Sequence, residues 1–126
     1  MKIALPIKMN RENSPLAPLF GKAKWFAIVE NGEVMIMANE NSGGRAVIEW
    51  LANMGVNTIV MQEMGKSPYL KIKSYGNIKI YHAGFERTLL NETLEKLDKN
   101  RLILVNYDTM DAIIKHHEKH HPAHEH

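Results

Sequence analysis

The sequence predicts an α/β protein: a mixed β-sheet, built from an antiparallel hairpin plus parallel strands and flanked by helices. Short β-branched or apolar runs (KIALPI, NTIVM, IKIY) alternate with segments of helical periodicity, the pattern of strands joined by helical crossovers. Asn31-Gly32 lies between two apolar runs and marks a hairpin, because a type I′ turn needs positive φ at both central residues. The length, 126 residues without a cysteine, suits one body whose core holds without disulfides or metal staples.

In chain order, residues 2–7 read as a buried strand. A loop of two prolines and a glycine follows (MNRENSPLAPLFG), and long loops in compact domains are often functional. Residues 24–30 and 33–39 form the hairpin arms. Ser42 and Gly43-Gly44 open a helix whose apolar face is Val47, Ile48, Leu51 and Met54, with Gly55 as its stop. Residues 57–62 read as an interior strand, and Met61 at its end as core. Ser67 is expected as the N-cap of the next helix with Pro68 at its first position; that helix carries Leu70 and Ile72 and stops at Gly76. A strand over 78–81, a helix over 86–98 with Leu90, Leu94 and Leu97, and a short strand within 101–106 follow. Asp108 starts a last helix, whose buried stripe is Met110, Ile113 and Ile114.

Composition narrows the function. With 44% apolar residues, 24% charged and a net charge of +2, the chain lacks the basic excess of a nucleic-acid binder. The first residues, MKIALPIKMN, read as a strand and not as a signal peptide, and no apolar run approaches a membrane span, so the expected address is the cytoplasm. Residues 1–98 are expected as one domain, which the resemblance given below implies is cofactor-binding, and 99–126 as an extension of a helix and a His-rich tail. The oligomeric state expected is monomer or weak dimer.

Three stretches carry a resemblance: SPLAPLFGKAKWFAIVENG (14–32), NSGGRAVIEWLANMGVNTIV (41–60) and GKSPYLKIKSYGNIKIY (65–81). Together, and in this order, they resemble the nitrogenase accessory family (NifX/NafY-like proteins and the matching domain of the NifB cofactor synthase). Phe20-Gly21-Lys22-Ala23 before an aromatic strand is the most specific part. The resemblance implies a ribonuclease H-like fold, cargo of iron–molybdenum cofactor or its precursors, and maturation proteins as partners. Many members have a histidine before the Phe-Gly pair; here Leu19 stands in its place.

The residues offer an anion site of their own. Lys8 and Arg11 follow the first strand, Lys22 follows Gly21, Arg45 follows Gly43-Gly44 and Lys66 follows Gly65. Ligands of open α/β sheets collect at the carboxyl ends of parallel strands, and helix N-termini beside glycines present backbone N–H groups and a positive dipole end. A metal–sulfide cluster is anionic and suits such a rim. The expected cofactor-binding set is Lys8, Arg11, Gly21, Lys22, Ser42, Gly43, Gly44, Arg45, Met64, Lys66 and His82: cations for charge, glycines for close approach, Ser42 as a hydrogen-bond donor, Met64 and His82 as candidate ligands. Solvated surface loops are the plain alternative for the cations, and core packing for methionine.

Six of the seven histidines fall within KHHEKHHPAHEH, residues 115–126. His116 and His120 are four apart, as are His117 and His121, so a helix stacks each pair on one face as a divalent-metal chelate, with His124 and His126 beyond Pro122. Glu, Lys, Pro and Ala interrupt the run, which therefore reads as native sequence. Its alternative function is storage or delivery of nickel, zinc, copper or cobalt ions through the tail. Enzymatic readings have less support. The strands KIALPI, NTIVM and IKIY carry no acid to hold the metals of a nuclease. HEKHH (117–121) matches a zincin motif in letters only, with neither a third ligand nor a cleft in view. The expectation is a non-enzymatic, cytoplasmic metallocluster carrier.

Overall fold

A computed structural model describes residues 1–120 of the chain. Six strands, β1 (Lys2–Ile7), β2 (Trp25–Glu30), β3 (Glu33–Ala38), β4 (Thr58–Met61), β5 (Lys79–His82) and β6 (Ile103–Leu104), form one sheet in the order β3-β2-β1-β4-β5-β6. β1 pairs parallel to β4 and β4 parallel to β5, whereas β1–β2, β2–β3 and β5–β6 are antiparallel. The mixed sheet expected from the sequence is thus present. Four helices, α1 (Gly44–Asn53), α2 (Lys66–Tyr75), α3 (Leu90–Asp98) and α4 (Tyr107–His120), flank it. No described helix is long and apolar enough to cross a membrane.

The alternation of side chains along each strand splits the core into two layers. Ala4, Phe26, Ile28, Ile59, Met61 and Ile80 face one side, which Val47, Ile48 and Leu51 of α1, Tyr69 and Ile72 of α2, and Met110 and Ile113 of α4 cover. Ile3, Leu5, Ile7, Ala27, Val29 and Val60 face the other, against Leu16 and Leu90, with Leu94 and Leu97 packed alongside. The hairpin turn has Asn31 at φ 53° and Gly32 at φ 80°, as the dipeptide predicts.

Several local expectations shift. Gly65, not Ser67, is the N-cap of α2, and Pro68 occupies the third helical position. Its missing N–H costs nothing there, because the first four N–H groups of a helix have no intrahelical partner. Leu70 is exposed, and Pro68, Tyr69 and Ile72 form the buried face instead. β5 runs one residue later than expected, since pairing of His82 with both Met61 and Ile103 extends it. α4 starts at Tyr107, not Asp108; Asn106 Oδ1 accepts the Thr109 N–H at 2.8 Å and the Asn106 carbonyl accepts that of Met110. The proline-rich loop is no mere surface connection: Ser14, Pro15, Leu16 and Ala17 are buried, and its backbone bridges Ile7, Leu89 and Glu63.

Met110 is fully buried between α4 and the sheet. Met110→Ala is expected to destabilise the protein by about 2–5 kcal/mol, the cost of a lost core side chain plus its cavity. Urea unfolding followed by the fluorescence of Trp25 and Trp50 measures it; an unchanged midpoint would show that α4 contributes nothing to the core.

Candidate functional site

The carboxyl ends of the parallel strands β1, β4 and β5 open on one side of the sheet, and the loops beyond them meet there. Phe20 begins a short 3₁₀ turn (Phe20–Lys22) and is buried to 1% exposure. Its ring lies edge-on to Phe26 at 5.4 Å, and Phe26 lies edge-on to Trp50 of α1 at 5.9 Å. This aromatic chain pulls the turn onto α1. Gly21 then meets the start of α1 so closely that a Cβ on it would lie 3.2 Å from the Gly44 nitrogen. A Cβ on Gly44 would in turn lie 2.8 Å from Cγ of Pro68 in α2. The Phe-Gly-basic motif therefore has a physical reading: the aromatic anchors, the glycine admits neighbouring backbone, and Lys22 projects as an exposed cation.

The same junction brings two helix N-termini side by side. Gly43 caps α1 with φ 90°, a conformation costly for other residues, and Gly65 caps α2. Neither helix has a side-chain cap hydrogen bond or an acidic residue in its first turn, so the positive ends of both dipoles carry no local counter-charge from their own first turns. Arg45 and Lys66, at the first turns, are exposed, as is Ser42 before the Gly43 cap. Asn39 holds the approach to this segment: its amide donates to the Ala23 carbonyl at 2.8 Å and its Oδ1 accepts the Asn41 N–H at 3.0 Å. Nothing in the sequence had singled out Asn39, whose role depends on the hairpin bringing it beside Ala23.

Not all expected site residues join this cluster. Lys8 and Arg11 are exposed on the excursion after β1, which docks on the start of α3 through Asn13 Oδ1 to the Asn91 N–H and the Ser14 carbonyl to the Leu90 N–H. Met64 is 1% exposed and packs in the core, which places its thioether away from solvent; Met61 is core as expected. Glu63, unremarked in the sequence, brings an acid to the rim, where its Oε1 lies 3.4 Å from Nδ1 of His117. A Cβ on Gly65 would lie 3.5 Å from the same imidazole, so the end of α4 rests against the β4–α2 loop.

His82 is held where β5 ends. Its Nε2 lies 2.9 Å from the Gln62 carbonyl, which only accepts, so Nε2 carries the proton in that bond. Burial pushes its pKa down; the Gln62 hydrogen bond works against that shift and nearby His116 adds to it. The ring lies edge-on to Phe85 at 4.7 Å, Phe85 stacks on His116 at 3.8 Å, and His116 neighbours His120 at 4.4 Å. The i, i+4 spacing foretold the His116–His120 pair, but its link to His82 runs through Phe85, a contact no local periodicity encodes. The described part of the tail thus turns in two directions, His116 and His120 toward Phe85 and His117 toward Glu63. Among the described residues no group of three or more His, Asp or Glu is arranged to hold a metal ion. His121, His124 and His126 lie outside the described residues.

Two outcomes follow from these contacts. Gly44→Ala forces its methyl into the Pro68 ring and is expected to cost about 1–3 kcal/mol, as overpacking does, measurable by urea unfolding; wild-type stability would mean that the junction yields freely. For His82, a lowered folded-state pKa means that the unfolded chain binds the proton more readily. Stability is then fully present above pH 6.5 and falls as pH drops from there through the folded-state value. Comparing unfolding of wild type and His82→Gln at pH 7.5 and at about pH 5.5 should show the larger loss in wild type, and an NMR titration should place the His82 midpoint below 6.5. A midpoint above that value would contradict the burial argument.

Known proteins share this architecture. A family model described as dinitrogenase iron-molybdenum cofactor matches residues 1–100. An uncharacterized protein of Methanocaldococcus jannaschii is 41% identical over 93 residues, covering 66% of this chain and 75% of its own. The apo orange protein of Desulfovibrio gigas superposes with a TM-score of 0.73 at 15% identity, over 82% of this chain and 92% of its own. A Thermotoga protein provisionally assigned as NifB does so with a TM-score of 0.70 at 23% identity, over 82% and 91%. At such identities the structural neighbours establish the fold, whereas the family model spans most of the sequence: the chain belongs to the dinitrogenase iron-molybdenum cofactor family.

Proposed function

We propose that the protein is a non-enzymatic cytoplasmic carrier that binds an anionic iron/molybdenum–sulfur cofactor, or its precursor, at the glycine junction and passes it between maturation proteins. The observation that carries this reading is the convergence of two helix N-termini, capped by Gly43 and Gly65, with Lys22, Arg45 and Lys66 exposed around them, in a chain of this family. An anion there would receive backbone N–H groups and two positive dipole ends. The lysines and arginine would neutralise its remaining charge from flexible stems.

The chemistry suits transport. With no cysteine, the chain has no thiolate to compete for iron, and charge-assisted hydrogen bonds leave cargo exchangeable. His82 stands at the end of β5, its Nε2 engaged by Gln62 and its Nδ1 the nitrogen left with a lone pair for metal.

The test is anaerobic titration of the full chain with isolated iron–molybdenum cofactor, followed by its visible spectrum and by molybdenum and sulfide content after desalting. Wild type should retain cluster in saturable fashion. Arg45→Ala should weaken binding by about tenfold or more, the loss of one charge-assisted contact, with circular dichroism unchanged. Failure of wild type to retain cluster, or retention of divalent metal alone that disappears when the chain ends at Lys115, would overturn the carrier reading.

A further inference from the structure

The two edges of the sheet are built differently. β6 ends one side with two residues, Ile103–Leu104, too short to template another strand. β3 ends the other side with six, EVMIMA, and contains neither proline nor lysine to blunt it. Val34 and Met35 are 42% and 61% exposed. On the helix-bearing face, Met35 and Met37 of β3, Ile28 of β2 and Met54 at the end of α1 form the apolar part of an open groove of about 590 Å³, which Lys2, Glu30 and Glu33 also line. An exposed edge of this length and apolarity is a pairing surface.

We propose that this edge is a homodimer interface in which β3 pairs antiparallel with β3 of a second copy, joining the two sheets into one. The register follows from the hairpin. In a two-residue hairpin the closing pair Glu30–Glu33 is hydrogen-bonded, and such pairs alternate along the ladder, so Glu33, Met35 and Met37 spend their backbone groups on β2. Val34, Ile36 and Ala38 direct theirs outward. These three positions are self-complementary about a two-fold axis: Ile36 faces the partner's Ile36, and Val34 faces the partner's Ala38. That register sets Met35 opposite the partner's Met37, so the two grooves become one methionine-lined seam.

Charge favours the same arrangement. One end of the edge holds Glu30 and Glu33 directly opposite each other, an unfavourable like-charge pair; Lys2 of β1 stands opposite Glu30, which leaves Glu33 as the outermost acid of that row. The other end holds Lys24, whose carbonyl accepts the Asn39 N–H. The two-fold axis places Glu33 opposite the partner's Asn39 and next in line to the partner's Lys24, acidic end against basic end. A second copy therefore supplies this edge with hydrogen bonds, apolar cover and a basic neighbour for Glu33.

Sedimentation velocity of the full chain over a concentration series tests the assignment, with amide exchange at Val34 and Ile36 read alongside. Wild type should double in mass as concentration rises, and exchange at those two amides should slow in parallel. Ala38→Pro removes an outward N–H that the hairpin does not use, and Met35→Lys puts charge into the seam. Each should abolish the dimer while leaving circular dichroism as in wild type, and its unfolding midpoint should match that of wild type measured at concentrations low enough for single chains. A single-chain mass at every soluble concentration would overturn the proposal. So would a dimer that survives both variants, or one whose formation leaves exchange at Val34 and Ile36 unchanged.

Discussion

The candidate site depends on one close approach: backbone at Gly44 wedged between Gly21 on one side and the Pro68 ring on the other. No side chain fits in that gap, so two helices that elsewhere cover the sheet as ordinary amphipathic elements start almost in contact. Their dipoles would repel, end to end, if nothing negative came near. Aromatic packing fixes one side of this junction. Phe20, Phe26 and Trp50 interlock from three different segments, and an ion pair between Lys71 and Glu49 at 3.4 Å ties the same two helices on the outside. Its partners are partly exposed, so its contribution is small. The edge-on aromatic contacts fasten the Phe20 turn and α1 to the sheet, and the Gly44–Pro68 approach sets α2 against α1.

How legible was this beforehand? Elements governed by local chemistry were plain in the sequence. Asn31-Gly32 specified a turn whose φ values the structure reproduces, and Gly55 and Gly76 ended α1 and α2 at positive φ. The apolar stripe of α4 was visible in Met110 and Ile113. Features governed by distant partners were not. Ser67-Pro68 has the composition of a helix start, yet the helix begins at Lys66 under a Gly65 cap, and burial of the Pro68 ring against Gly44 is the contact that local propensity cannot see. Leu70 and Ile72 were the apolar residues noted on that helix; Ile72 is buried, but Leu70 is exposed because the face that meets the sheet is set by Tyr69 and Ile72.

The candidate site divides along the same line. Glycine beside cation is a local signature, and Lys22, Arg45 and Lys66 were found by it. Lys8 and Arg11 share the signature's logic of following a strand, but the excursion that carries them is claimed by α3 through Asn13 and Ser14, seventy or more residues from their partners. Methionine carried the least information: Met61 and Met64 differ by three positions, both are buried, and thioether chemistry alone cannot separate a ligand from a gap-filler. Glu63, an acid at the rim, entered unseen because its meaning comes from His117, 54 residues away.

The proposed carrier role requires both holding and releasing cargo, and the geometry of the sheet bears on how a second copy would affect that. β1 and β3 run in the same sense, each antiparallel to β2, so the carboxyl end of β3, at Ala38, lies at the same end of the sheet as the rim beyond Ile7. Antiparallel pairing of two β3 edges therefore turns one rim up and the other down. The two glycine junctions would lie at opposite ends of a shared seam, neither covered by the other. Dimerisation of this kind adds stability and a continuous sheet without closing a site, and each rim stays open to whichever protein brings or takes the cluster. Pairing through β6 would instead bring a second chain against the edge where Phe85 and the end of α4 stand beside β5. The long edge is the one that leaves cargo exchange free.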